Sequence, residues 1–325
     1  MHIPDNFLDA KTVGVTSALA AGAVALALRE ARRQLSPAGV PLLGLSAAFV
    51  FAAQMVNFPV LGGTSGHLAG GTLVAVLLGP AAAVVVLTTV LVVQCVLFAD
   101  GGVTALGANI LNLGVVGAVS GWVVYRGVSR WMRGMAGRVA GVAFGAWCSI
   151  VLAAVACSLE LAWSRTVALS VALPAMVGIH AVIGLAEGLI SALVYRAVMQ
   201  VRPDLGEGTV FTGVGRRAEP VWAWGLGVSL VLAVLLAPWA SSWPDGLERV
   251  AERFGFAERA TTAAWAPIPD YELPGIPWSA LAVGMAGLVG TAVVFGLAMW
   301  LGRTLARTES RRAGGQKPPE ASPLV

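Results

Sequence analysis

Residues 70 to 98, GGTLVAVLLGPAAAVVVLTTVLVVQCVLF, carry no charge at all. As one helix this stretch would be about 43 Å long, well beyond the roughly 30 Å of bilayer hydrocarbon, yet it is short for two full crossings of about 20 residues each. Topology decides how it is used. Clusters of Lys and Arg mark the cytoplasmic side, and Arg29, Arg32 and Arg33, which follow the first apolar stretch, put the N-terminus outside. His67, after the second stretch, is then outside as well. A single crossing by residues 70 to 98 would leave Arg126, Arg130, Arg133 and Arg138 outside, against the rule. Two short crossings that turn near Gly79 and Pro80, or one crossing plus a re-entrant segment, restore it.

Similar apolar stretches fill the rest of the chain. The expected spans are 12 to 33, 38 to 57, 68 to 78, 80 to 98, 104 to 126, 138 to 160 and 173 to 199, then 221 to 240 and 278 to 302. The 325 residues are 57% hydrophobic and 12% charged, against about 25% charged in soluble domains. A water-soluble fold is excluded, and the expected fold is an all-α integral membrane protein, a seven-helix bundle followed by a two-helix module. The boundaries that follow are 1–200 for the body, 201–220 for a polar cytoplasmic linker, 221–302 for the module and 303–325 for a polar cytoplasmic tail expected to be disordered.

A sequence pI near 9.3 does not point to nucleic acid, because the basic residues lie in short clusters between apolar runs. Sixteen of the 21 basic residues fall on the cytoplasmic side, and ten acidic and five basic residues are left outside. That outer face is net negative and draws cations. Cys95, Cys148 and Cys157 lie inside apolar stretches with no paired spacing, so neither a disulfide framework nor a zinc site is indicated. Pairs such as Gly117 and Gly121, Gly141 and Gly145, and Gly184 and Gly188 read as close helix packing. No GxxxxGK[ST] loop is present, so any use of ATP needs a partner, and no HExxH motif supports an intramembrane protease.

The opening Met1, His2, Ile3, Pro4, Asp5 is the most informative segment. It is not a cleavable signal, since its charges before the apolar run are Asp5 and Asp9 and the arginines follow. The large His2 also protects Met1 from removal, which leaves a free amine. The Met1 amine and the His2 amide nitrogen can close a five-membered ring on a metal, and that amide with His2 Nδ1 closes a six-membered one. Three nitrogens in a plane suit metals that accept square-planar coordination, Ni(II) or Cu(II) before zinc or magnesium. His67, in the small-residue segment Gly62 to His67, is the candidate fourth ligand from the same side. The third histidine, His180, shares a helix face with Glu187, the one carboxylate expected deep in a span. Such groups are costly in lipid and serve either a pathway or a structural hydrogen-bonding pair. Gln54, Asn57, Gln94, Asn109 and Asn112 add polar groups expected to satisfy one another across helices.

The N-terminal pentapeptide, Ser65-Gly66-His67, the segment Asp100 to Asn112 (DGGVTALGANILN) and His180 to Ile190 (HAVIGLAEGLI) resemble the CbiM/NikM family, the substrate-binding S components of energy-coupling factor transporters for cobalt and nickel. The likeness covers roughly residues 1 to 200. Pro244 to Glu248 spells PDGLE and Pro269-Asp270-Tyr271 resembles a second block, so the C-terminal module looks like a fused CbiN/NikN-type partner. Asn6 stands where many relatives have glycine, and Asp9 where a less polar residue is expected.

The resemblance implies metal ligation by Met1, His2 and His67, with Ser65, Asn109, His180 and Glu187 in supporting positions. It implies no permanent cofactor, only the transported Co2+ or Ni2+. The implied partners are a membrane scaffold (T component) and cytoplasmic ATPase subunits, and the implied location is the inner membrane of a prokaryote, with the N-terminus outside and the C-terminus in the cytoplasm. Two other classes remain open at this stage: an intramembrane enzyme using His67, His180 and Glu187 on one metal, which requires those side chains to converge, and a metal-sensing membrane subunit.

Overall fold

The computed structural model describes residues 1–207, 221–261 and 265–313. Ten helices make up the described chain: α1 (Ala10–Gln34), α2 (Val40–Gln54), α3 (Gly71–Leu78), α4 (Pro80–Phe98), α5 (Leu106–Trp131), α6 (Gly134–Trp163), α7 (Leu169–Val201), α8 (Val221–Val231, continued by irregular helical turns to Trp239), α9 (Gly246–Phe254) and α10 (Ser279–Ala313). Seven of them are long and apolar enough to cross a membrane, namely α1, α2 with its preceding turn, α4, α5, α6, α7 and α10. Their outer surfaces are apolar. Along α7, Leu185, Leu189 and Leu193 are all exposed at four-residue spacing, while Gly184, Glu187, Gly188 and Ser191 face inward. An apolar stripe pointing out and small or polar residues pointing in is the pattern of a helix in lipid. The small-residue pairs pack helices: a Cβ on Gly188 would lie 2.6 Å from the Ala143 carbonyl, and one on Gly145 would lie 2.5 Å from that of Gly121.

The uncharged stretch breaks at Gly79 and Pro80 into eight-residue α3 and nineteen-residue α4. Residues 68 to 70, with Gly70 turning left-handed at φ 74°, and α3 together reach at most roughly 22 Å, short of a full hydrocarbon core. The loop before α3, which carries His67, therefore dips into the mouth of the bundle. An extended segment inside a bundle must find partners for its backbone polar groups. Glu187 supplies them: its carboxylate accepts the Ala69 N–H at 2.7 Å and the Gly70 N–H at 3.1 Å. Gln54 Nε2 donates to the Ala69 carbonyl at 3.0 Å, and Gln94 Nε2 donates to Gln54 Oε1 at 2.7 Å. The expected pairing of polar groups across helices is thus found here, but Glu187 and His180 do not bond each other.

Four features differ from the sequence reading. A short antiparallel hairpin, β1 (Phe58–Val60) with β2 (Thr64–Gly66), precedes the His67 loop; at three residues each, its strands are too brief for an alternating pattern to register. Residues Ile110–Gly117 in α5 form a π-helical turn that carries Asn112 inward, where its Nδ2 donates to Glu160 Oε2 at 2.6 Å. Glu160 is therefore a second buried carboxylate, on α6, which continues to Trp163. The helix of the C-terminal module continues through Ala313, past the expected start of a disordered tail at 303. Residues 208–220 of the expected linker and 314–325 of the tail lie outside the described residues.

The C-terminal module is docked on the body. Helix α10 packs along α2 so closely that a Cβ on Gly290 would meet the Phe51 ring, and one on Gly44 would meet Met299. One apolar cluster joins α2, α3 and α4 to Ala286, Val294 and Ala298 of α10. A second joins Met1, Ile3, Phe7 and Leu8 to Cys157, Leu161 and Met176 of the body and to Leu247, Val250, Ala251 and Phe256 of the module.

Glu187→Ala leaves two buried backbone N–H groups unpaired, at about 1–3 kcal/mol each. Thermal unfolding in detergent is expected to show a melting temperature several degrees below wild type, with Glu187→Gln intermediate because its carbonyl oxygen can still accept one of the two bonds. An unchanged melting temperature for the alanine variant would show that Glu187 does not support this segment.

Candidate metal site

The first five residues are held like an inserted strand. Asn109 clamps Ile3 from both sides, with its Oδ1 accepting the Ile3 N–H at 2.8 Å and its Nδ2 donating to the Ile3 carbonyl at 3.1 Å. The Gly102 N–H donates to the same carbonyl at 2.9 Å. Gly102 has to be glycine, because a Cβ there would sit 2.3 Å from the Asp5 backbone nitrogen. Asp5 Oδ1 accepts the Thr104 N–H at 2.8 Å, and the Phe7 carbonyl accepts the Thr166 hydroxyl. Asn6 turns the chain at φ 70°, a left-handed conformation that asparagine tolerates better than other residues with a side chain. Asp9 caps α1 by accepting the Thr12 N–H at 2.9 Å, a role a less polar residue could not fill.

Met1 and His2 are consequently buried, at 7% and 9% exposure, and Ile3 is fully so. A buried charge needs a partner. The Met1 amine finds Asp245 Oδ2 at 2.7 Å, from the C-terminal module. Burial alone would lower the amine's pKa, but the charge and hydrogen bond of Asp245 raise it overall. Asp245 is in turn held well below the usual carboxylate range; burial opposes this, and the amine's charge and hydrogen bond outweigh burial.

The PDGLE sequence has a local explanation. Asp245 Oδ1 accepts the N–H groups of Leu247 and Glu248, and Glu248 Oε2 accepts the Asp245 N–H at 2.9 Å. Asp and Glu three apart thus form a capping box that starts α9. The apolar face of α9, Leu247, Val250 and Ala251, then packs onto the N-terminal peptide. Gly246 lies against His180, whose Nε2 would be 2.8 Å from an added Cβ. The Pro244 carbonyl accepts the Ser65 N–H at 2.8 Å, and the Trp243 carbonyl accepts the Ser65 hydroxyl at 2.7 Å. Ser65 therefore ties the His67 loop to the module.

The His2 and His67 rings lie parallel, 8° apart with centroids at 5.7 Å. His67 is pushed down to about 3, chiefly by burial and then by the charges of the amine and His2, so its imidazole is neutral and able to coordinate at physiological pH. His2 Nδ1 lies 2.9 Å from Asp100 Oδ1, while its Nε2 is buried without a partner. The other Asp100 oxygen accepts the Tyr271 hydroxyl at 2.5 Å. Tyr271 reaches it from a backbone at φ 58°, next to Asp270 at φ 55°. Each left-handed residue of this kind costs about 1–2 kcal/mol, and such strain gathers at functional sites.

Of the residues singled out from sequence, Met1, His2 and His67 meet in one recess, and Asn109, Ser65 and Glu187 support its walls. His180 is beside it, its Nδ1 2.7 Å from the Met176 carbonyl and its Nε2 unpartnered. The convergence of His67, His180 and Glu187 that an enzyme would need is not found, since both Glu187 oxygens bind the backbone. Among the described residues no group of three or more His, Cys, Asp or Glu side chains is arranged around a common point for a metal, so a metal held here needs main-chain nitrogens. Sequence reasoning missed Asp100, Asp245 and Tyr271 as parts of the site. All three lie within quoted motifs, and all three fall on the acidic side of the topology, which was the available signal.

Comparison with known proteins agrees with this architecture. Residues 2–205 match the family model CbiM, described as cobalt uptake substrate-specific transmembrane region, and residues 219–307 match the PDGLE domain. A putative fused nickel transport protein NikMN of Archaeoglobus fulgidus is 38% identical over 93% of this chain and 98% of its own length. The fused nickel transport protein NikMN of Rhodobacter capsulatus is 33% identical over 97% of this chain and 100% of its own. A crystal structure described as a transition metal transporter superposes with a TM-score of 0.58 at 32% identity, covering 66% of this chain and all of that one. The two fused relatives are named as nickel transport proteins, and their likeness extends over both modules. The chain belongs to the CbiM family of cobalt uptake substrate-specific transmembrane proteins, with a PDGLE domain following in the same polypeptide.

Proposed function

We propose that this protein is the substrate-binding membrane component of a nickel or cobalt importer, and that the ion is held by four nitrogens: the Met1 amine, the His2 amide and Nδ1, and His67. The observation that carries the reading is the buried N-terminus itself. Burying a charged amine beside two histidines is costly unless the site has a use for it, and eight residues of tail are anchored to keep it there. The amine and the His2 amide would supply the two nitrogens that two imidazoles alone lack for a four-ligand set. The basic clusters support an outward-facing N-terminus and a cytoplasmic C-terminus in the inner membrane of a prokaryote. The sequence has no phosphate-binding loop of the P-loop type, so energy for uptake would come from partner subunits, a membrane scaffold and cytoplasmic ATPases of the energy-coupling factor kind. The assigned extents are 1–200 for the metal-binding body and 221–302 for the PDGLE module.

Calorimetric titration of Ni2+ and Co2+ into purified protein tests the chelate. Replacing His2 by alanine removes the six-membered amide–imidazole ring and is expected to abolish binding, whereas wild type binds one ion. Retained stoichiometric binding in His2→Ala would sink the reading.

Metal entry must also displace protons from the amine and the amide. The amine's pKa is raised, so over the physiological range its proton is more firmly held than in a free peptide and competes more strongly. Each displaced proton makes affinity fall about tenfold per pH unit, while His67, near 3, adds nothing. Two such protons over two pH units make the expected drop in apparent affinity between pH 8 and pH 6 about 10,000-fold; a flat profile would mean the amine is not a ligand.

A further inference from the structure

Asn112 and Glu160 form a buried pair that the metal site itself does not use. Asn112 is 2% exposed and Glu160 7%. Their neighbours on α5 and α6, Leu113, Cys157 and Leu161, belong to the apolar cluster around the N-terminal peptide. Asn112 Nδ2 donates to Glu160 Oε2 at 2.6 Å. Two observations fit poorly with an ionised carboxylate at this place. Among the described residues no Lys, Arg or His pairs with Glu160, and a buried charge without a partner is costly. Its surroundings offer no positive charge either: Cys157, three residues earlier on α6, is a thiol, and Asp9 at the start of α1 is engaged with Thr12 and Ser164. The second observation is that Asn112 Oδ1 is buried and has no partner, although buried acceptors are nearly always paired.

A carboxylic acid removes both difficulties, since it bears no charge and has one O–H to give. We propose that Glu160 is a neutral acid joined to the Asn112 amide by two opposed hydrogen bonds, N–H to Oε2 and O–H to Oδ1, and that through this clasp it is a positioning residue for the N-terminal metal site. The second half rests on the chelate proposed above. The link runs along α5. Its π-helical turn begins at Ile110, immediately after Asn109, and ends at Gly117. Such turns are rare and gather at functional sites, and their backbone bonds reach one residue further than those of an α-helix. The heading of each side chain therefore depends on what the turn is tied to, and Asn112 ties it to α6. Asn109 stands three residues before Asn112, and both polar atoms of its amide are bound to Ile3, at 2.8 and 3.1 Å. His2 and Met1 are the next two residues outward. Without the clasp the Asn109 clamp loses its reference to α6, and the amine and the His2 backbone lose their fixed placement. Glutamine has the shape of the protonated acid and can exchange the same two bonds, its Oε1 accepting and its Nε2 donating. That substitution separates a neutral clasp from a required charge.

Infrared spectra of the full-length protein in a maltoside detergent, which has no ester carbonyl to interfere, compare wild type with Glu160→Gln at neutral pH. The wild type is expected to show a protonated-carboxyl C=O band that the variant lacks. By calorimetry Glu160→Gln should bind nickel as wild type does, and Glu160→Ala about tenfold more weakly. Should Glu160→Ala not fold, the double replacement Asn112→Leu with Glu160→Leu, which leaves no polar group unpaired, takes its place with the same expectation. Absence of the band overturns the neutral acid. Wild-type nickel binding without the clasp, or equal weakening in Glu160→Gln, overturns the positioning role and leaves the N-terminal site standing. Failure of the wild type itself to bind nickel would sink the chelate, and with it the positioning role, while the infrared band still decides the clasp.

Discussion

A positive charge carried on the chain's own first atom, sunk among apolar residues, is the constraint around which the two modules are arranged. Removed from water and unpaired, such an amine would cost several kcal/mol; paired with Asp245 at 2.7 Å it becomes a tie between residue 1 and the C-terminal module. Asp245 can serve because the capping box has already oriented it, one oxygen on the first turn of α9 and the other on the amine. Asp100 does the same for His2, and Tyr271 for Asp100. Two carboxylates and two basic groups are thus held in register by contacts from four separate parts of the chain.

The mechanical consequence is a recess whose walls are rigid and whose contents are exchangeable. The backbone of residues 1–5 is fixed by Asn109, Gly102 and Thr104, and the His67 loop is fixed by Glu187 from below and by the Trp243–Pro244 carbonyls from the side. The groups left to change partners are the amine and the His2 ring. In the empty protein their partners are carboxylates, and a dication that reaches the recess offers both a competing partner. Asp245 lies against the amine and Gly246 against His180, so the PDGLE turn braces the recess.

How far this was legible in the sequence depends on the range of the interaction concerned. Span positions follow from apolar length, and the turn at Gly79 and Pro80 follows from topology. The proposed chelate of Met1 and His2 follows from covalent chemistry, since a histidine in second position can chelate whatever the fold, and His67 was reached from its side of the topology. The capping box could have been read from Asp245 and Glu248 alone. What could not be read were pairings between distant segments, Met1 with Asp245 or His2 with Asp100, because nothing local in Pro244–Glu248 or Asp100–Gly102 says which buried charge it will meet. Glu187 was noticed for its place in a helix, but its task, accepting two backbone N–H groups of an extended segment, depends on α3 being too short to cross, which composition left undecided. The strained Asp270–Tyr271 pair gave no signal beyond its likeness to a family motif.

The central claim, a planar four-nitrogen site built on the chain's first two residues, is tested most directly by X-ray absorption at the nickel edge on the purified, nickel-loaded protein. The account predicts four nitrogen ligands in a square plane, with imidazole scattering from two rings. A six-coordinate, oxygen-rich centre, or scattering from only one imidazole, would contradict it.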